Sequence, residues 1–163
     1  MVDCAPVATK GEDGSLAAAA AVDHGAACAV VLDTNVALDL LLFGDPATEP
    51  LARLLAAGRL CWIATGAMRS ELARVLDYPA IVAQLARRDD AGARVLQAFD
   101  ARVQRVGRPE VASLCCADPD DQMFIDLALA HRALLLSRDR ALLQLHGPLT
   151  AIGVEVRTAV AFA

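Results

Sequence analysis

Residues 29–43 read AVVLDTNVALDLLLF, and the reading of this stretch decides the fold. A fully apolar run, Ala29, Val30, Val31 and Leu32, stops at Asp33-Thr34-Asn35, and a second apolar run begins at Val36. A short run of aliphatic and β-branched residues with no polar partner marks a strand buried on both faces, as in a parallel sheet. In open α/β sheets, ligands sit beyond the carboxyl ends of such strands. Asp33 stands at that end.

Beyond Asp33, Val36 to Phe43 is apolar at helical spacing except for Asp39, and Gly44-Asp45-Pro46 breaks the chain. A helix is expected from Ala47 to Ala57 with Leu51, Leu54 and Leu55 inward, stopping at Gly58. Leu60 to Ala64 (LCWIA) reads as a second buried strand, and Thr65 as the N-cap of a helix through Leu76, ended by Tyr78-Pro79. Ile81 to Val106 reads as one or two amphipathic helices joined near Arg87-Arg88-Asp89-Asp90. A brief third strand is expected over Val111–Leu114 and a helix from the Asp118 cluster to His131. Ala133–Leu136 reads as a fourth strand, followed by Ser137-Arg138-Asp139, a short helix over Arg140–Leu145, the break Gly147-Pro148 and a last strand over residues 150–156. Strands alternating with helices imply right-handed crossovers and a parallel sheet covered on both faces.

Residues 29–163 of the 163 are expected to form a single α/β domain, long enough for a sizeable core. Residues 1–28 are Ala- and Gly-rich without sustained amphipathic pattern, as in a disordered leader or a start assigned too early. The formal charge of −5 argues against nucleic-acid binding through a broad basic surface. After the leader, however, fourteen arginines face sixteen acids. If five of those acids are ligands to cations, the remainder carries an excess of about three positive charges, so a phosphate-rich substrate is not excluded. The five cysteines (Cys4, Cys28, Cys61, Cys115, Cys116) lack metal-ligand spacing and read as reduced, core-packing residues of a cytoplasmic protein. No apolar run approaches the roughly 18–20 residues that span a bilayer. The stretch LAAAAAV at 16–22 and Ala26-Ala27-Cys28 imitate an export signal only faintly, and the acidic segment before them argues against one.

Asp33 and Asp139 occupy equivalent places, each directly after a buried strand, where an Asp either caps the next helix or enters a site. Glu71 lies at the edge of the stripe Met68, Leu72, Val75; it is either a solvated partner of Arg74 or a site residue. Pro119 suits a first helical position, which makes Asp118 the N-cap and explains Asp118 and Asp120 as first-turn acids. Asp121 precedes Ile125 by four residues and Ala128 by seven, and so falls on a face that buries apolar residues. A carboxylate there needs a partner, and the chain offers few except other carboxylates. Two unit charges about 4 Å apart repel by about 4 kcal/mol at an effective dielectric of 20. A cluster of Asp33, Glu71, Asp121 and Asp139 therefore persists by taking up protons or by binding divalent cations. All-oxygen ligation suits Mg²⁺ or Mn²⁺, as one ion or two, and such ions assist hydrolysis of a phosphodiester.

VLDTNV at 31–36, RSELARVL at 69–76, DPDDQMFIDLALA at 118–130 and SRD at 137–139 together resemble the PIN-domain nucleases, over about residues 29–157. The likeness is strongest to the small bacterial group described as toxin components of type II toxin–antitoxin pairs. The resemblance implies a three-layer α/β/α sandwich on a short parallel sheet of order 3-2-1-4-5. It implies a Mg²⁺- or Mn²⁺-dependent endoribonuclease with catalytic, metal-binding acids at Asp33, Glu71, Asp121 and Asp139. Asp118 matches the extra Asp of the subgroup's DPxD form, in a supporting or N-cap role. Asn35 and Ser137 match polar positions that orient the acids or a water. Arg138 departs from the small residue usual there; it reaches a substrate phosphate or covers the rim. The resemblance also implies an RNA substrate, a cognate antitoxin and a homodimer, for which the helices around Ile81 to Val106 are a candidate surface.

Two other folds place acids after strands. A haloacid-dehalogenase-type phosphatase needs Asp two residues after the first, where this chain has Asn35, and a receiver domain needs a late lysine, whereas the single lysine is Lys10. The serious alternative is a PIN-like module that binds RNA or an antitoxin without significant catalysis.

Overall fold

The apolar run that ends at Asp33 forms the central strand of the sheet. The structure, a computed structural model, describes residues 27–85, 91–116 and 118–159. Most of the expected leader and the expected helix join at Arg87–Asp90 lie outside the described residues. Strand β1 (Cys28–Leu32) leads into helix α1 (Thr34–Leu38), a π-helical turn (Asp39–Phe43), a short 3-10 turn (Pro46–Thr48) and α2 (Glu49–Ala56). Then come β2 (Leu60–Ala64), α3 (Gly66–Leu76), α4 (Pro79–Leu85), α5 (Ala91–Arg102) and β3 (Gln104–Arg105). A 3-10 turn (Pro119–Asp121), α6 (Gln122–His131), β4 (Leu134–Leu136), α7 (Arg140–Gln144), α8 (His146–Ala151) and β5 (Val156–Arg157) complete the chain.

All strand pairs are parallel, in the order β3-β2-β1-β4-β5. α6 packs on β1 and β4 and α2 on β2, while α1, α3, α5 and the π-helical turn pack among themselves, so helices cover both faces. The strand residues Val30, Val31, Ile63, Leu135 and Leu136 are almost wholly buried between these layers, as a doubly covered parallel sheet requires. With few aromatics, one ring pair stands out: Trp62 of β2 and Phe99 of α5 meet edge to face with centroids 5.1 Å apart. The chain leaves the π-helical turn at Gly44, whose φ of +59° is a left-handed conformation that costs an L side chain.

Three expectations are corrected. The third strand is Gln104–Arg105, paired with Ile63 and Ala64, and not Val111–Leu114. Val106 extends this pairing by donating its amide to the Ala64 carbonyl at 3.0 Å, whereas Val111 is 68% exposed. Two paired residues leave too little alternation for a sequence pattern to register. The last strand begins at Val156, because residues 146–151 form α8. Gly147 and Pro148 do not break the chain there; they fall in the first turn of α8, where a proline removes no intrahelical hydrogen bond. Finally, the cysteines serve the core only in part: Cys61 and Cys116 pack against it. Cys28 and Cys115 are exposed, and no disulfide joins the four described cysteines.

An unforeseen acid secures the loop before α6. Asp126 is buried and accepts hydrogen bonds from the Ala112 amide at 2.8 Å and the Gln122 side-chain amide at 2.7 Å. Gln122 in turn accepts from the Cys116 amide at 2.7 Å and donates to the Leu114 carbonyl at 3.0 Å. Asp126→Ala strands a buried amide, so it should cost roughly 1–3 kcal/mol, seen as a lower urea midpoint at unchanged slope.

Candidate carboxylate site

Leu32 of β1 stands opposite Leu136 of β4, and that register brings Asp33 and Ser137 together just past the strand ends. The Ser137 hydroxyl donates a short hydrogen bond to Asp33 Oδ2, and the Arg138 amide approaches the same oxygen at 3.3 Å. Asp33 Oδ1 accepts from the Val36 amide at 2.7 Å, capping α1. Cap and site residue are therefore not exclusive roles. The side chain is only 2% exposed. Burial raises its carboxyl above the ordinary range, and the bonds from Ser137, Val36 and Arg138 oppose the rise.

Asp139 repeats the arrangement one strand over. Its Oδ1 caps α7 by accepting from the Ala141 amide at 2.6 Å, while its own amide donates to the Ser137 hydroxyl at 2.9 Å. Ser137, wholly buried, thus joins the two aspartates through one oxygen. Asp118 accepts from the Asp120 amide at 2.9 Å and caps the 3-10 turn, as Pro119 at its first position predicts. Asp121 ends that turn and enters α6, beside buried Ile125 and Ala128.

Asp33, Glu71, Asp118, Asp120, Asp121 and Asp139 all line one cleft of about 380 Å³, with Asn35 on its wall. Asp121 accepts no hydrogen bond among the described residues. Burial first, then the charges of Asp139, Asp118, Asp33 and Asp120, push its carboxyl up to about 6. Glu71 reaches the cleft but is held by its own helix: Arg74 Nε and Nη2 donate to its two oxygens, both at 2.8 Å. Arg74 also reaches Asp120 at 3.3 Å, tying α3 to the 3-10 turn, and lies 5.7 Å from the Tyr78 ring centroid. Arg138 does not line this cleft. Its guanidinium pairs with buried Asp39 at 2.9 Å. Asp39 was visible in the sequence only as the single acid of an apolar run; its partner lies 99 residues away.

The donor set is all oxygen, which matches Mg²⁺ or Mn²⁺ in kind. Among the described residues, no three Asp, Glu, His or Cys side chains stand close enough to enclose one ion. The match therefore lies in the uncompensated field felt by Asp121 rather than in a finished cage. Mg²⁺ tolerates such a setting because it keeps several waters and takes only one or two carboxylates directly.

A parallel α/β/α domain with acids gathered past the ends of its two central strands defines the class. The chain belongs to the PIN domain family, whose family pattern matches residues 29–141. PIN domains are generally nucleases that use divalent metal ions. Among solved structures, the chain is similar to VapBC2 from Rickettsia felis bound to a DNA fragment from their promoter. That likeness has 12% identity and a TM-score of 0.54, and covers 79% of this chain and 98% of that one. It is also similar to a PilT N-terminus domain protein from the hyperthermophilic archaeon Sulfolobus solfataricus P2. There the identity is 14% and the TM-score 0.41, with 82% and 89% of the two chains covered. No curated protein matches it.

The raised Asp121 carboxyl has a sign that unfolding measures. The folded chain favours the protonated form relative to the unfolded chain, so this contribution is full below about pH 4 and is lost as pH rises through about 6. Without added metal, Asp121→Asn should stabilise the fold above that range. The gain is on the order of 1 kcal/mol, reduced by the water that reaches the group, and it should vanish below about pH 4. Urea titrations at the two ends of the range check both halves.

Proposed function

We infer that the protein is a metal-dependent endoribonuclease that hydrolyses phosphodiester bonds, and that it serves as the toxin of a type II toxin–antitoxin pair. The observation that carries this reading is the shared cleft of six acids in which Asp121 is left to the repulsion of its neighbours. Asp33, Asp121 and Asp139 would share the holding of Mg²⁺ or Mn²⁺, as one ion or two with no more than two of these carboxylates to an ion, and Glu71 would join them on release from Arg74. Such an ion supplies charge neutralisation at the phosphodiester and acidifies a water within its reach. Asp121, raised by burial and then by its neighbours' charges, is the acid whose charge such an ion would most offset. Ser137 and the Arg138 amide fix the orientation of Asp33, and Ser137 does the same for Asp139 through its backbone. Asn35 stands on the wall as a neutral hydrogen-bonding group. Asp118 supports the turn that carries Asp121.

A cognate antitoxin belongs to the same reading, supported by the likeness to a solved VapBC2 assembly. So does a homodimer through α4 and α5, supported by the exposure of Val82 and the neighbouring Tyr78. A cytoplasmic setting agrees with the described helices, none of which is long and apolar enough to cross a membrane. The Glu71–Arg74 pair favours a second reading, a PIN-like module that binds RNA or an antitoxin without significant catalysis.

Cleavage of single-stranded and structured RNA, with and without Mg²⁺ or Mn²⁺, separates the two. Asp33→Asn and Asp121→Asn should each lower the rate about a hundredfold or more, and Ser137→Ala about 10–100-fold, with folding checked by thermal melting. Cleavage that survives both aspartate changes, or survives chelation, overturns the mechanism. RNA bound but never cut, with either ion present, selects the second reading.

A further inference from the structure

A second groove adjoins the carboxylate cleft. It measures about 500 Å³ and shares Asn35, Leu38 and Ile81 with that cleft, then continues past Phe43 and Gln84 to Arg138. Its chemistry differs from its neighbour's. Asp39, on its floor, is neutralised by Arg138, and Asp45 spends one oxygen capping the Ala47 amide at 2.9 Å. What remains is an aromatic ring, two aliphatic side chains, the primary amides of Asn35 and Gln84 and the second oxygen of Asp45. The π-helical turn carries the placement: the sole acid of the 36–43 run is buried, while its sole aromatic, Phe43, stands 41% exposed.

We propose that this groove binds one unpaired nucleobase of the RNA, next to the nucleotide whose phosphate enters the carboxylate cleft. The base stacks on Phe43 and presents its edge to the Gln84 amide. A ring face beside an amide suits a base, since every base offers a π-face and a hydrogen-bonding edge. A paired base is already stacked within its helix and cannot enter, so the groove selects single strands. The proposal rests on the nuclease reading for the location of the scissile bond, and its test is separate from cleavage.

Binding of a short fluorescein-labelled single-stranded RNA is measured by anisotropy in EDTA, beside the same sequence as a duplex. Phe43→Ala and Phe43→Leu should weaken single-strand binding between about fivefold and a hundredfold, the range for loss of one stacked base. Phe43→Trp should bind within about twofold of the parent or tighter. Phe43→Leu keeps apolar bulk on the turn, and melting temperatures show that each variant is folded. Duplex binding should change little. Single-strand affinity untouched in both Phe43→Ala and Phe43→Leu overturns the proposal and leaves the groove to a protein partner. Equal losses on single strand and duplex overturn it, as does a parent protein that binds no single strand. Because EDTA suppresses metal-dependent cleavage, a subsite loss in an inactive enzyme sinks only the nuclease reading. Cleavage with unaltered Phe43 variants sinks only the subsite.

Discussion

The register of β1 on β4 is the constraint from which the site follows. Leu32 opposite Leu136 puts Asp33 beside Ser137, and the Ser137 oxygen then serves two aspartates at once, donating to the side chain of one and accepting from the backbone of the other. A slip of one residue would turn every side chain of the strand to the opposite face. Because both strands are buried on both sides, such a slip would carry a charged group into the core, where an unpaired carboxylate costs far more than an ordinary packing defect. The same packing that forms the sheet thus fixes where the acids meet.

Electrostatic compensation around that meeting point is uneven. Glu71 and Asp120 share Arg74, Asp39 has Arg138, and Asp33 is wrapped in hydrogen bonds. Asp121 alone of the central acids has neither a cation nor a donor among the described residues, and its raised carboxyl comes first from its own burial and then from its neighbours' charges. Folding has left the local repulsion on one half-buried group in the cleft lining.

Much of this was legible in the sequence, for reasons that can be located. β1, β2 and β4 are continuous apolar runs ended by polar residues, and such runs survive without any knowledge of neighbours. Thr65, Asp118 and Pro119 announced helix starts through local chemistry, and the structure has them as caps or first-turn residues. What failed was long-range or very short. β3 is a pair of residues whose strand character comes from β2, and α8 hides behind a Gly-Pro that its first turn tolerates. Asp39 and the bridging reach of Arg74 depend on partners distant in the chain, and the bond from the Ala112 amide to Asp126 spans a loop, so no local pattern encodes them. The resemblance to a known family filled in the strand order, which periodicity alone leaves open.

The outer strands, β3 and β5, contribute only two residues each to the ladder. Edges so brief give an incoming peptide almost no row of amides and carbonyls to zip onto, which protects the sheet from growing sideways into fibres. Among the described residues it also leaves little edge for strand addition as a mode of capture. The broad surfaces left to a partner, among the described residues, are those of the helices and the grooves past the strand ends.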